Sequence, residues 1–179
     1  MKVYSGTRVF DRDTMTRGEA SVVVQTVVGD GPAGRGLTSE SNPSTGSGHR
    51  LGDRRPLTHV SYHSPDGFEW GYAGSGPADF ALAILADYFD ESAEFVLAAL
   101  RSMWTPRSKA AALHQSFKER FVATEHWDEW QLDSDAIEAW LQTPAIQTRL
   151  AELAQEEDEL AGIRRLAEEA ERADADVAD

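Results

Sequence analysis

Between His63 and Ala86 the chain compresses a turn, a run of aromatic residues, three glycines at Gly71, Gly74 and Gly76, and the start of an alanine-rich helix. The segment reads as strand, glycine-rich corner and abrupt helix start. It is the stretch densest in residues with special backbone or chemical properties. A corner of this kind either cradles an anion on backbone N–H groups at a helix start or simply turns the chain sharply. Those alternatives imply different proteins, so the rest of the sequence is weighed against them.

Upstream, Val3–Tyr4 and Arg8–Phe10 read as an opening strand or hairpin, and Ser21–Val28 is β-branched nearly throughout, as a strand requires. Residues 29–55 hold half of the fourteen glycines and almost nothing apolar. Such a segment buries too little surface to offset its ordering entropy, so a flexible insertion is expected there, with Arg54 and Arg55 as solvated loop cations. Leu57–Tyr62 and Phe68–Tyr72 read as two further strands. They flank Ser64-Pro65-Asp66-Gly67, whose proline and glycine positions suit a type I turn.

The remainder reads as helical. Pro77–Phe89 starts with proline at its first position behind Gly76, with Asp79 facing the helix dipole and Phe80, Ile84 and Tyr88 on a buried stripe. Ser92–Trp104 follows around Phe95, Ala99, Leu100 and Met103. Ser108 opens a third helix bearing Leu113, Phe117 and Phe121. Trp130–Leu132 is extended, and Ser134 caps a fourth helix with Ile137, Trp140 and Leu141. A last helix runs from Pro144 to about Ala173. Its first half docks through Ile146, Leu150 and Leu153, and its second half is a solvated acidic arm.

These elements predict an α+β fold: a small antiparallel sheet covered on one face by about four helices, plus a long C-terminal helix. Residues 1–143 form the domain and 144–179 an acidic helical extension.

Composition removes several chemistries. The 179 residues include no cysteine, which excludes disulfides, thiolate metal sites and thiol nucleophiles. A net charge of −14 argues against direct nucleic-acid binding, which needs cations to displace phosphate counterions. The acidity reads as a solvated surface, or else as a surface imitating nucleic acid. The amino terminus lacks the apolar run of a signal peptide, and no stretch is long enough to span a bilayer. The expected location is therefore the cytoplasm, with no membrane contact.

The motif His63-Ser64-Pro65-Asp66-Gly67, Phe68-Glu69-Trp70-Gly71-Tyr72 and Gly74-Ser75-Gly76-Pro77-Ala78 resembles an uncharacterised domain of unknown function from bacterial, archaeal and phage genomes. A looser echo lies at Gln115–Lys118, Trp130–Leu132 and Tyr4–Gly6. Ala73 and Tyr62 depart from the family pattern, and the chain beyond Thr143 falls outside it. The resemblance implies a compact α+β module associated with phages and mobile elements. It implies no activity.

The candidate chemistries are few. Gly71 and Gly76 have the separation of a phosphate-binding loop, but Pro77 and Ala78 stand where lysine and a hydroxyl residue are required. Ser75 occupies the place of a nucleophile between strand and helix, yet Ala73 and Pro77 replace the flanking glycines. His59 and His63, four apart on a strand, stand too far apart to share an ion, so no metal is expected. Glu69 is either a solvated strand residue or a buried carboxylate needing Arg8, Lys118 or Arg120. His126, Trp127 and Trp130 could form an exposed aromatic surface, though core filling explains them more simply.

No catalytic residue, cofactor or metal is assigned, and the balance leans away from an enzyme. The reading is an accessory protein of a phage or mobile element that binds another macromolecule, in practice another protein, such as a host defence or replication factor. One alternative is a small-ligand or nucleotide-like anion site formed by His63, Glu69, Gly74, Ser75 and Gly76. The other is a structural protein that self-associates through its C-terminal helix.

Overall fold

A computed structural model describes residues 1–11, 16–28, 50–124 and 128–177. Strands β1 (Lys2–Asp11), β2 (Thr16–Val28), β3 (Arg50–Pro56) and β4 (Glu129–Asp133) form one antiparallel sheet in the order β3-β2-β1-β4. Helices α1 (Ser75–Phe89), α2 (Ala93–Arg101), α3 (Lys109–Phe117), α4 (Ser134–Leu141) and α5 (Pro144–Val177) complete the α+β architecture. A π-helical turn, Lys118–Val122, extends α3. Among the described residues no helix is long and apolar enough to cross a membrane.

Strand alternation explains why the sheet has one buried face. Register places Val24, Tyr4 and Leu132 in one row and Val22, Gly6 and Trp130 in the next. Those side chains point inward, whereas Ser21, Thr7, Glu129 and Gln131 of the alternate positions are exposed. At Gly6 an added Cβ would lie 3.2 Å from the indole of Trp70, so the missing side chain lets that ring lie on the sheet.

α1 is the central helix. The sequence predicts a stripe, but every residue from Gly76 to Ala86 is buried, Leu82 and Ala83 as fully as Phe80 and Ile84. The cause is its position between two layers. Phe80 meets Trp130 of the sheet at 4.8 Å, while the opposite side of the helix packs on α3. Small side chains at Ala78, Ala81, Ala83 and Ala86 permit that double approach. α1 also begins at Ser75, with Gly74 as cap and Pro77 at its third position, so Asp79 lies past the first turn. Proline is accommodated there because the first four N–H groups have no intrahelical partner.

Several other expectations shift. Arg50–Pro56 pairs with β2 although most of it falls in the stretch read as an insertion; residues 29–49 lie outside the described residues. Neither Leu57–Tyr62 nor Phe68–Tyr72 is a strand. Leu57 donates its N–H to Val22, and further on the N–H groups of Tyr62, His63 and Ser64 go to a buried carboxylate described below. Gly71 then takes φ +86°, which breaks the alternation and leaves Tyr72 exposed while Phe68 and Trp70 stay buried. α2 stops at Arg101, so Met103 is exposed rather than in the core. α4 is capped by Asp133 rather than Ser134, through a bond to the N–H of Ala136.

Candidate functional site

The segment from His59 to Gly76 is organised by one side chain. Asp79, fully buried in α1, accepts the backbone N–H groups of Tyr62 at 3.1 Å, His63 at 2.9 Å and Ser64 at 2.8 Å. A carboxylate saturated by three backbone donors is well solvated by protein, and its burial is thereby offset. Ser61 Oγ adds a bond to the carbonyl of Ser64, and Ser64 Oγ accepts from the N–H of Asp66. The His63–Gly67 turn is thus pinned to the central helix rather than held by strand pairing.

Pinning the backbone of His63 brings its ring to the buried His114 of α3, with the two Nε2 atoms 3.2 Å apart. His114 Nδ1 lies 2.7 Å from the carbonyl oxygen of Ala111, which can only accept. The proton of neutral His114 therefore sits on Nδ1, and its Nε2 carries the lone pair. His63 Nε2–H and the Gln115 side-chain amide, 2.8 Å away, both donate to that one lone pair. Gln115 in turn accepts from the buried Lys118 Nζ at 2.5 Å. Burial, with His63 and Lys118 nearby, holds the His114 imidazole below its ordinary pKa, against the carbonyl of Ala111 and the charge of Asp79.

The remaining sequence candidates lie elsewhere. Glu69 pairs with Arg8 at 3.1 Å, one of the three cations considered for it. Arg8 is buried, donates to the Trp70 carbonyl at 2.9 Å and lies over the Trp70 ring at 4.1 Å. Lys118 instead serves Gln115, and Arg120 lies over Phe121. Gly76 is buried against Glu69, where an added Cβ would meet the Glu69 Cβ at 2.8 Å. Gly74 caps α1 with the Tyr72 ring where a side chain would stand, and Ser75 is exposed at the first helical position. The Gly71 N–H donates to Val122 O at 2.9 Å, and the Trp130 indole donates to Phe121 O at 2.9 Å. These two bonds satisfy carbonyls left open at the end of the π-helical turn. The glycine-rich corner is therefore packed against the α3 extension, and His63 and Glu69 reach different partners.

His59 does not pair with His63. Its ring packs edge-on against Phe68 and its Nε2 lies 3.8 Å from Asp79. Among the described residues no group of three or more His, Asp or Glu side chains is placed to hold a metal ion. His126 and Trp127 lie outside the described residues, and Trp130 is buried.

Two features escaped the sequence reading. Asp87 of α1 accepts from Lys2 Nζ at 3.0 Å, Tyr4 Oη at 3.0 Å and the Arg55 guanidinium, which ties β1 and β3 to the central helix. Burial alone would push this carboxyl up, but the bonds from Arg55, Lys2 and Tyr4 outweigh it and hold the pKa below the ordinary value. The second feature is an apolar surface. Trp104 is 61% exposed, Met103 66%, Ile163 50% and Leu166 67%. Met103, Trp104 and Ile163, with Leu160, line a groove of about 250 Å³ between the α2–α3 connection and α5. Arg164 fixes that connection by donating to the Trp104 carbonyl at 2.8 Å.

No curated protein matches the chain, and no solved structure matches it. Residues 34–98, a span that takes in β3, the Asp79-bound turn and α1, are similar to a family of unknown function (DUF6166).

Proposed function

We propose that this chain is a non-enzymatic accessory protein that binds another protein through the Met103–Trp104–Ile163–Leu166 surface. The observation that carries the reading is the exposure of four large apolar side chains, three of which line one groove, with the Trp104 backbone carbonyl bonded by Arg164. Exposed apolar side chains grouped around a groove mark interaction surfaces, and tryptophan is a typical binding anchor. Arg107, Glu156 and Glu159 edge the groove, with Glu156 paired to Arg107 and Arg149, so the partner suited to it presents apolar side chains. The chain as a whole carries a net charge of −14. The same charge disfavours nucleic acid as the direct ligand. Service to a phage or other mobile element, which the resemblance of the His63–Ala78 motif implies, belongs to this proposal, as does a cytoplasmic setting.

The test compares the full chain with a Trp104→Ala/Leu166→Ser variant, both exposed changes that leave the core intact. A partner captured from the host and then purified should bind the full chain and lose at least about tenfold affinity with the variant, as expected for an anchor residue. Equal binding by both proteins contradicts the reading. So does a stable homodimer in light scattering that the variant dissociates, which would assign the surface to self-association.

A further inference from the structure

We propose that His63 and His114 form a binding site for a first-row transition-metal dication of the kind imidazole favours, with zinc as the reference ion. The two residues are 51 apart in sequence and come from different elements, yet their Nε2 atoms meet at 3.2 Å. An ion that holds two imidazole nitrogens at 2.0–2.1 Å in tetrahedral geometry separates them by about 3.4 Å. The observed spacing is within a few tenths of an ångström of that value.

Second-neighbour contacts agree. His114 Nδ1 donates to the Ala111 carbonyl, the arrangement that fixes a ligating histidine's tautomer and directs its Nε2 lone pair outward. His63 is held at its backbone by two bonds to buried Asp79, of 2.9 and 3.0 Å, while its ring is exposed to solvent. Transfer of its proton to Nδ1 frees Nε2 to bind. Without an ion, one lone pair of His114 is shared by two donors, His63 and Gln115, so each bond is compromised. A cation placed between the rings replaces the first of these and lets the Gln115 amide turn away.

Two charges flank the pair: the Lys118 ammonium sits on Gln115, and the Asp79 carboxylate lies behind the His63 backbone. With two ligands among the described residues, the other coordination positions are open to water, so the ion is exchangeable rather than structural, and an incoming ligand can complete the shell. The affinity must fall on acidification, since both ligands have to be neutral imidazoles. This inference is independent of the Trp104 surface.

Zinc chloride titrated into the full chain at pH 7.5, followed by calorimetry and by the histidine ring signals in NMR, tests the site. The expected result is saturable one-to-one binding that moves the His63 and His114 signals together. His63→Ala, an exposed change, should weaken it by about tenfold or more. His59→Ala and the His49→Ala/His126→Ala variant should leave it unchanged. His114→Gln should behave as His63→Ala, with circular dichroism reporting whether the fold is kept. Absence of saturation at millimolar zinc overturns the proposal, as does unchanged binding in His63→Ala.

Discussion

The carboxylate of Asp79 accepts the backbone N–H of Ser64 at 2.8 Å, joining the central helix to a turn fifteen residues earlier. This bond and its neighbours at Tyr62 and His63 commit three successive N–H groups to the central helix, so strand pairing cannot run on through the turn. Asp79→Ala removes the acceptor of three N–H groups. Hydrogen bonds to a charged acceptor contribute about 1.5–3 kcal/mol each, and part of that is recovered from water, so a loss of about 3 kcal/mol or more is expected. At roughly 2–4 °C per kcal/mol for a chain of this size, the melting midpoint should drop by about 6–12 °C. Hydrogen exchange should quicken at residues 62–64.

Asp87 gives the fold its acid sensitivity. Its folded pKa lies below the unfolded one, so the unfolded chain takes up the proton first as pH falls. The stabilisation is complete above the ordinary aspartate range near 3.9 and is lost as pH drops through the lower folded value. Asp87→Asn removes the ion pairs to Lys2 and Arg55, whose own side chains are solvent-exposed, and should cost about 1–2 kcal/mol at neutral pH. The variant's stability should then change less than the parent's between pH 5 and pH 2, measured by urea unfolding.

His114 acts at higher pH. Its imidazole is depressed by burial and by the neighbouring His63 and Lys118. Between the unfolded value near 6.5 and the lower folded value, only the unfolded chain binds a proton, so stability falls as pH falls through that window. NMR titration of the ring signals should place the His114 midpoint below 6.5. Lys118→Met should raise it. A midpoint at or above 6.5 would contradict the buried His63–His114 arrangement.

Two glycines should respond oppositely to alanine. In Gly76→Ala the new Cβ approaches the Glu69 Cβ at 2.8 Å, and the crowding should cost about 1–3 kcal/mol. In Gly162→Ala no atom lies within 4 Å, so the helix-propensity gain of up to about 1 kcal/mol should appear undiminished. Thermal melts of the two variants compare them directly.

The secondary structure was legible wherever local pattern decides it. The β-branched Ser21–Val28 became part of β2, Ser108 caps α3 as read, and Phe117 and Phe121 lie together against Trp140. Errors arose where a distant side chain overrides local preference. Nothing near Tyr62 announces that Asp79 will take the N–H groups of Tyr62, His63 and Ser64. Likewise nothing near His63 announces His114, because tertiary packing alone brings a turn and a helix face together. Glu69 was readable only as a set of alternatives, and the sheet selects Arg8 from them because β1 carries it beneath Trp70. Met103 was assigned to a core because the helix was extended past its true end at Arg101.

In the proposed function the glycine-rich corner is scaffold and binding belongs to other surfaces. Intrinsic tryptophan fluorescence tests this directly during titration with phosphate and nucleotides, since buried Trp70 lies two residues before Tyr72 and beneath the same corner. The predicted result is no saturable change at millimolar ligand. A saturable change that Ser75→Asp weakens, in a variant that melts like the parent, would contradict it.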